Sequence, residues 1–208
     1  MKAMLLTAPG ELIRDDVTRP ASEQGQLLVR VTHSGICGTD YKIFNGAIPV
    51  KYPRIMGHEM AGEVVDAGAS ALRAGDRVIV DPQIYCRTCF HCRIGQTHLC
   101  KNGMLIGRDR DGGFAEFVTV PPSHAFPLPA SVETRVAPMI QVLTTCLHAQ
   151  RQIDIFPGEF VVVLGLGVTG QLHVQLAKAR GATVIGVTRS AHKRALALTL
   201  GAHLTIPG

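Results

Sequence analysis

The sequence of 208 residues has no tryptophan, and its aromatic residues together make up only 5% of the chain. It has no apolar run of membrane-spanning length, and its first residues, MKAMLLTAPGELIRDD, lack the apolar stretch of a secretory signal. The formal net charge is +5, but the basic residues are scattered and form no stripe with aromatics between them. These absences predict a globular cytoplasmic protein and argue against partners such as membranes and nucleic acids.

The remaining sequence, 46% hydrophobic, is long enough to bury a core in one domain or two. Short apolar stretches separated by Gly and Pro, such as QLLVRV (26–31) and DRVIV (76–80), predict a β-rich domain over residues 1–150. Helical spacing in APMIQVLTTCLHAQRQ predicts a helix at its end. Over residues 151–208, FVVVL, QLHVQLAKAR, TVIGVT and HKRALALTL alternate as strand and helix. The predicted fold class is α/β with a β-rich N-terminal part.

Four of the six cysteines lie in CRTCFHCRIGQTHLC, with the spacing Cys86-x2-Cys89-x2-Cys92-x7-Cys100. Four thiolates can surround one Zn²⁺ and leave no coordination position for a substrate, so this cluster is predicted to be a structural zinc site. The alternatives are an iron–sulfur cluster and a pair of disulfides. The spacing disfavours the first, and a reducing compartment disfavours the second.

A glycine motif follows the strand FVVVL and opens an amphipathic helix, which is the context of a dinucleotide-binding loop. Its residues are Gly165, Leu166, Gly167, Val168, Thr169 and Gly170. The alternative is a tight turn without a ligand. An NAD site places an acidic residue at the end of the second strand, but Thr188 and Arg189 stand here, which favours NADP over NAD. Arg189 pointing into solvent is the alternative.

Further motifs occur along the whole chain, in the order GICGTD, GHEMAGEVVDAGA, AGDRVIV, the four-cysteine segment, DGGFAEFV and VVVLGLGVTG. In these motifs the sequence resembles the zinc-dependent alcohol dehydrogenases of the medium-chain dehydrogenase/reductase family. The resemblance implies a GroES-like catalytic domain followed by the first part of a Rossmann domain. It also implies hydride transfer between an alcohol or polyol and a nicotinamide, in a longer protein that forms a homodimer or homotetramer.

The resemblance also implies roles for individual residues. Cys37 and His58 match the first two ligands of a catalytic zinc, and Thr39 matches the hydroxyl that takes the proton of the substrate alcohol. Glu59 is expected near the metal, as an alternative ligand or beside a ligand. The position of the family's third ligand, usually Glu or Cys, is held by Gln141, whose amide is a weaker donor for zinc.

Other positions are read from the same resemblance. Thr145 and Lys193 match positions that contact the cofactor. Lys42 stands where the family often has the next histidine of the proton relay, which leaves the proton path open. Cys146, five residues after Gln141 on a helix, points away from it and is expected to be a packing residue.

Two alternative functions come from different classes. One is a metal-free quinone-type reductase of the same family, which Cys37, His58 and the cysteine cluster argue against. The other is a non-catalytic zinc-stabilised fragment or decayed paralogue, which Gln141 favours. The sequence ends as a third strand of the cofactor domain begins, so the 208 residues alone are expected to be inactive.

Overall fold

A computed structural model describes residues 1–22 and 25–208. The chain divides into two compact units, Met1–Gln141 and Val142–Gly208. The division falls inside a helix whose last residue is Gln150, whereas the boundary predicted from the sequence lies at the end of that helix.

The first unit is built mainly from strands, as its short apolar stretches predict. The strands are β1 (Lys2–Ala8), β2 (Glu11–Asp16), β3 (Leu27–Gly35), β4 (Arg54–Ile55), β5 (Glu59–Asp66), β6 (Arg77–Val80), β7 (Gln83–Ile84), β8 (Met104–Leu105), β9 (Phe117–Val120) and β10 (Ala125–Pro127). The helices are α1 (Gly38–Phe44), α2 (Phe90–Arg93) and α3 (Met139–Gln150), of which α3 continues into the second unit.

Five of these strands form one antiparallel sheet in the order β10-β6-β5-β3-β9, and β2-β1-β4 form a smaller sheet. Alternate residues of the strands face a common core, because side chains on a strand point to opposite faces in turn. The core of the larger sheet contains Leu27, Val29, Met60, Val64, Val78, Val80, Ile106, Val118, Val120 and Ala125.

The pairing of β3 with β5 fixes one end of the larger sheet. Gly35, the last residue of β3, pairs with Glu59, the first residue of β5. Helix α1 begins three residues after Gly35, with Cys37 as its N-cap. The segment that follows β3 and the segment that precedes β5 are therefore neighbours.

The second unit is a three-stranded parallel sheet with two helices. It contains β11 (Phe160–Leu164), α4 (Val168–Ala179), β12 (Thr183–Val187), α5 (Ala191–Thr199) and β13 (Leu204–Ile206), with the strands in the order β11-β12-β13. Its core contains Val163, Leu166, Val174, Ala177, Ala182, Val184, Ala197 and Ala202.

The predicted elements are confirmed with shifts of a few residues at their ends, including the helix over 137–152 and the strand–helix alternation after it. No helix within residues 1–22 and 25–208 is both long and apolar enough to cross a membrane.

Candidate metal centres and cofactor loop

The four clustered cysteines bring their sulfur atoms together. Their Sγ atoms are 3.5 Å apart in the pair Cys86–Cys100, 3.9 Å in Cys89–Cys100 and 4.0 Å in Cys86–Cys92. A tetrahedral zinc with bonds of about 2.3 Å holds its sulfur ligands about 3.8 Å apart, whereas a disulfide needs about 2.05 Å. All four cysteines are free thiols in the structure, so the group fits one zinc ion rather than disulfides.

The surroundings of the cluster favour negative charge on the sulfur of Cys86 and disfavour it on that of Cys92. Hydrogen bonds from the Thr88 hydroxyl and the Cys89 backbone N–H lower the pKa of the Cys86 thiol to about 5. Burial and the neighbouring thiols raise the pKa of Cys92 to about 12. The two values differ because sulfur atoms this close cannot all ionise unless a cation balances them.

A second group of metal-competent side chains lies where β3 meets β5. One ligand atom each from Cys37, His58 and Glu59 lies within 4.8 Å of the others. His58 and Glu59 are buried, and Cys37 is half-buried. The set offers a thiol, an imidazole and a carboxylate. Three protein ligands of this kind leave zinc one open position, as in catalytic zinc sites.

Asp40, which the sequence reasoning did not single out, joins the two sides of this group. Its Oδ2 accepts a hydrogen bond of 2.8 Å from the backbone N–H of Cys37, and its Oδ1 lies 3.3 Å from Nδ1 of His58. Asp40 is only 2% exposed. The available signal was its position in the first turn of α1, three residues after the N-cap, where an acid commonly accepts from the N-cap N–H.

Two buried atoms in this contact have unused hydrogen-bonding capacity. Despite the 3.3 Å separation, Asp40 Oδ1 and His58 Nδ1 do not meet hydrogen-bond geometry, and neither has another hydrogen-bond partner among the described residues. If Nδ1 carries the proton and faces Asp40, Nε2 is left as the ligand atom. Metal-binding histidines are usually oriented by a carboxylate in this way, so the arrangement fits a metal.

Glu59 occupies space that a glycine provides. Burial raises the pKa of its carboxyl group, although a hydrogen bond with Cys37 and the charge of His58 act in the opposite direction. A Cβ atom on Gly35 would lie 2.3 Å from Oε2 of Glu59. Glycine at position 35 therefore leaves room for the carboxylate beside Cys37.

The other residues predicted for the catalytic site are distributed as follows. Thr39 is half-buried in the first turn of α1, and Lys42 is exposed on the same helix. Gln141 is half-buried on α3, where it is the last residue of the first unit. Cys146 is buried in the second unit, with its Sγ 3.7 Å from the carbonyl oxygen of Thr169, which agrees with a packing role.

The glycine motif forms the predicted turn between β11 and α4. Gly165 has a φ of 89°, which favours glycine, and Gly167 is the N-cap of α4. A Cβ on Gly170 would lie 1.9 Å from the carbonyl oxygen of Gly165, whereas a Cβ on Gly167 would meet nothing within 4 Å. Gly170 thus allows the helix to pack on the turn, and Gly167 leaves the helix N-terminus open. A helix N-terminus of this kind can bind a pyrophosphate. Leu166 is buried under the turn, and Val168 and Thr169 are exposed.

The end of β12 carries the residues predicted to choose the cofactor. Thr188 is half-buried, and Arg189 and Lys193 are exposed. Arg194, which the sequence reasoning missed, donates hydrogen bonds to the carbonyls of Thr188 (2.7 Å) and Arg189 (2.9 Å) and so braces this turn. Thr145 lies exposed on α3, in the second unit.

A buried side chain connects the glycine turn to α5. Nε2 of Gln171, also missed by sequence reasoning, donates to the carbonyl of Leu166 (3.3 Å) and to the carbonyl of Lys193 (2.9 Å). Neither Gln171 nor Arg194 belongs to the glycine motif or to the strand end. Their roles depend on contacts between elements.

Comparisons with known proteins show the family to which this chain belongs. Residues 23–130 match the family described as alcohol dehydrogenase GroES-like domain, and residues 168–208 match the family described as zinc-binding dehydrogenase. The chain belongs to the zinc-binding alcohol dehydrogenase family.

Individual relatives are similar over nearly all of this chain. An L-threonine 3-dehydrogenase from Pyrococcus horikoshii is 37% identical over 99% of the chain and 61% of its own length. A zinc-binding dehydrogenase from Sinorhizobium meliloti 1021, solved with NADP, is 41% identical with a TM-score of 0.96, over 99% of this chain and 61% of its own. An alcohol dehydrogenase from Escherichia coli CFT073, solved with NADH, is 31% identical with a TM-score of 0.94. The match covers 100% of this chain and 62% of the other. The chain thus spans about three fifths of the length of these relatives.

The glycine turn gives a stability prediction that needs no ligand. We expect Gly170→Ala to lower the free energy of unfolding by about 1–3 kcal/mol, because the added methyl group meets a backbone oxygen that cannot move freely. The matched control, Gly167→Ala, adds a methyl group in open space and should cost less than about 1 kcal/mol. Denaturant unfolding followed by circular dichroism measures both. Equal stability of the two variants would contradict the packing role of Gly170.

Proposed function

We propose that the protein interconverts an alcohol or polyol and its aldehyde or ketone, with hydride transfer between the substrate carbon and a nicotinamide cofactor. The observation that carries this proposal is the Cys37–His58–Glu59 group, whose ligand atoms lie within 4.8 Å of one another at the sheet end. Membership of the zinc-binding alcohol dehydrogenase family supports it. The four-cysteine group has no open position and is proposed as a separate structural zinc site.

The residues of this chain would act on the substrate as follows. Cys37 and His58 would hold a zinc ion, which when bound supplies a Lewis acid beside the alcohol oxygen. Asp40 would hold the His58 ring in the ligating orientation. The Thr39 hydroxyl, on the same helix turn as Asp40, would accept the hydroxyl proton of the alcohol and release its own proton toward solvent, as the substrate carbon loses its hydride to a bound nicotinamide.

The cofactor would bind at the glycine turn of the second unit. The pyrophosphate is proposed to lie at the N-terminus of α4, against Gly165, Gly167 and the N–H groups of the first helical turn. Thr145 is proposed as a further cofactor contact, on the resemblance alone.

Several proposals concern the whole protein. Its substrate would be a small alcohol or carbonyl compound. The whole protein would be a cytoplasmic homodimer or homotetramer. The 208 residues by themselves, which span about three fifths of their relatives, are expected to bind zinc at the four cysteines without turning over alcohols.

The proposed reaction predicts a strict dependence on Cys37. In the protein at its natural length, Cys37→Ala should reduce kcat/KM for alcohol oxidation by at least about 100-fold, because metal-assisted polarisation is worth several kcal/mol. The measurement is nicotinamide reduction across a panel of alcohols and polyols. Cys146→Ala, a buried cysteine outside both groups, serves as the control and should retain activity. An active parent whose Cys37→Ala variant matches it would favour the metal-free reductase, and an inactive parent would favour the non-catalytic alternative.

The third ligand of the catalytic zinc is proposed to be Gln141 or Glu59. With one thiolate, one imidazole and one amide, the ion would keep a net charge of about +1, which a carboxylate would neutralise. We therefore expect Gln141→Glu to slow the loss of zinc from this site during dialysis against a chelator. If this variant and the parent lose metal at the same rate while Glu59→Gln loses it faster, Glu59 is the ligand and Gln141 is not.

The cofactor is proposed to be NADP rather than NAD. Relatives bind both, since one similar structure contains NADP and another NADH, so local residues must decide. No carboxylate stands at Thr188 or Arg189 to repel a 2′-phosphate. Arg189 can pair with the phosphate through its planar guanidinium group, and Lys193 lies one helical turn further on. Arg194 holds the backbone of this turn through its two hydrogen bonds.

This proposal predicts the effect of a double substitution. Thr188→Asp with Arg189→Ala should shift the ratio of kcat/KM from NADP toward NAD by about ten- to several-hundred-fold, because each charge-assisted contact contributes about 1.5–3 kcal/mol. The control Arg135→Ala removes an exposed arginine of the first unit and should leave the ratio unchanged. A parent that prefers NAD, or an unchanged ratio in the double variant, would contradict the assignment.

A further inference from the structure

A segment distant in sequence runs alongside the three residues that precede His58. Consecutive backbone N–H groups of residues 112–114 donate to the carbonyls of residues 55–57, in the pairs Gly112–Ile55 (2.8 Å), Gly113–Gly57 (2.9 Å) and Phe114–Met56 (2.9 Å). Every carbonyl of residues 55–57 thus accepts a hydrogen bond from one short segment. His58 and Glu59 follow these residues directly in the sequence.

The approach of the two segments is close enough to require glycine. A Cβ on Gly112 would lie 2.2 Å from the carbonyl oxygen of Gly57, and a Cβ on Gly107 would lie 2.6 Å from the same atom. From the other side, a Cβ on Gly57 would lie 2.5 Å from a ring carbon of Phe114. Real Cβ atoms do not come this close to other heavy atoms, and a carbonyl oxygen within the backbone cannot move aside freely.

The side chain of Asp111 binds the residues at the beginning of the same segment, Arg54 and Ile55. Its Oδ1 accepts hydrogen bonds from the backbone N–H of Ile55 (3.1 Å) and from Nη1 of Arg54 (2.7 Å). The Arg54 side chain is 11% exposed and that of Asp111 is 60% exposed, so water reaches the ion pair from the Asp111 side. Asp111 thus accepts from the N–H of Ile55, and the backbone of residues 112–114 donates to the carbonyl of each residue from 55 to 57.

We infer that residues 111–114 are a positioning element for the metal ligands His58 and Glu59. This segment binds the backbone of residues 55–57, which directly precede the two ligands. Asp40, on α1, contacts the side chain of His58 instead. If residues 55–57 moved, His58 and Glu59, which follow them directly, would move relative to Cys37, which lies between β3 and α1. This inference rests on the proposed function, because it concerns the zinc site assigned there.

The test is zinc content and zinc release in the protein at its natural length. Gly112→Ala should leave the four-cysteine zinc in place and lower total zinc from about two per chain to about one, or release the second zinc about 10- to 100-fold faster to a chromogenic chelator. The control Gly38→Ala adds the same methyl group next to Cys37, where it meets nothing within 4 Å, and should release zinc at the parent rate. Release rates at the two sites are separate readouts, so a general loss of stability would not mimic the result.

Further variants keep the two proposals distinguishable. Cys37→Ala should remove the same zinc. If it does not, the proposed catalytic site is wrong. If Cys37→Ala loses that zinc and Gly112→Ala holds it at the parent rate, only the positioning role is wrong. Should Gly112→Ala fail to fold, Asp111→Ala decides, because it removes the bond to Ile55 without adding a methyl group at the contact. Parent-rate zinc release in a folded Asp111→Ala variant would then overturn the inference.

Discussion

The candidate catalytic site depends on a carboxylate that is buried beside an imidazole. Asp40 is removed from water at the first turn of α1, where it accepts the N–H of Cys37 with one oxygen and faces His58 with the other. Burying a charged group is costly unless it is paired or hydrogen-bonded, and a second acid, Glu59, is buried in the same place. A cation bound to Cys37, His58 and Glu59 would balance these charges, which gives the folded chain a physical reason to bind one.

The geometry of this site comes from strand register. Gly35 pairs with Glu59, so the residue that frees space for the carboxylate sits directly opposite it. A slip of one residue would turn every side chain of the strand to the other face and move Cys37 away from His58. The register is supported by the packing of alternate residues of β3 and β5 in one core cluster, among them Val29, Met60 and Val64. The core of the sheet therefore sets the distance between the candidate ligands.

Features that are local in sequence could be predicted, and features that depend on contacts between distant segments could not. The four-cysteine group, the glycine turn and most strands follow from spacing and periodicity within a few residues. Cys37 and His58 were singled out only through resemblance to a family, since each alone has ordinary structural explanations. Hydrogen bonds between elements leave no periodic signal in a sequence. For this reason the sequence did not reveal the roles of Asp40, Arg194 and Gln171, or the contact of residues 111–114 with residues 55–57.

The two metal-competent groups differ in how the chain assembles them, and this difference carries a physical consequence. The four cysteines lie within fifteen residues, so this segment can bind a metal with little ordering of the rest of the chain. Cys37 follows β3 and His58 precedes β5, so their approach needs the pairing of these strands, the capping of α1 and the support of residues 111–114. The first group can therefore assemble before the domain is complete, whereas the second group exists only in the folded sheet. If both groups hold zinc as proposed, changes far from His58 would loosen the zinc at Cys37 and His58 while the zinc at the four cysteines stays bound.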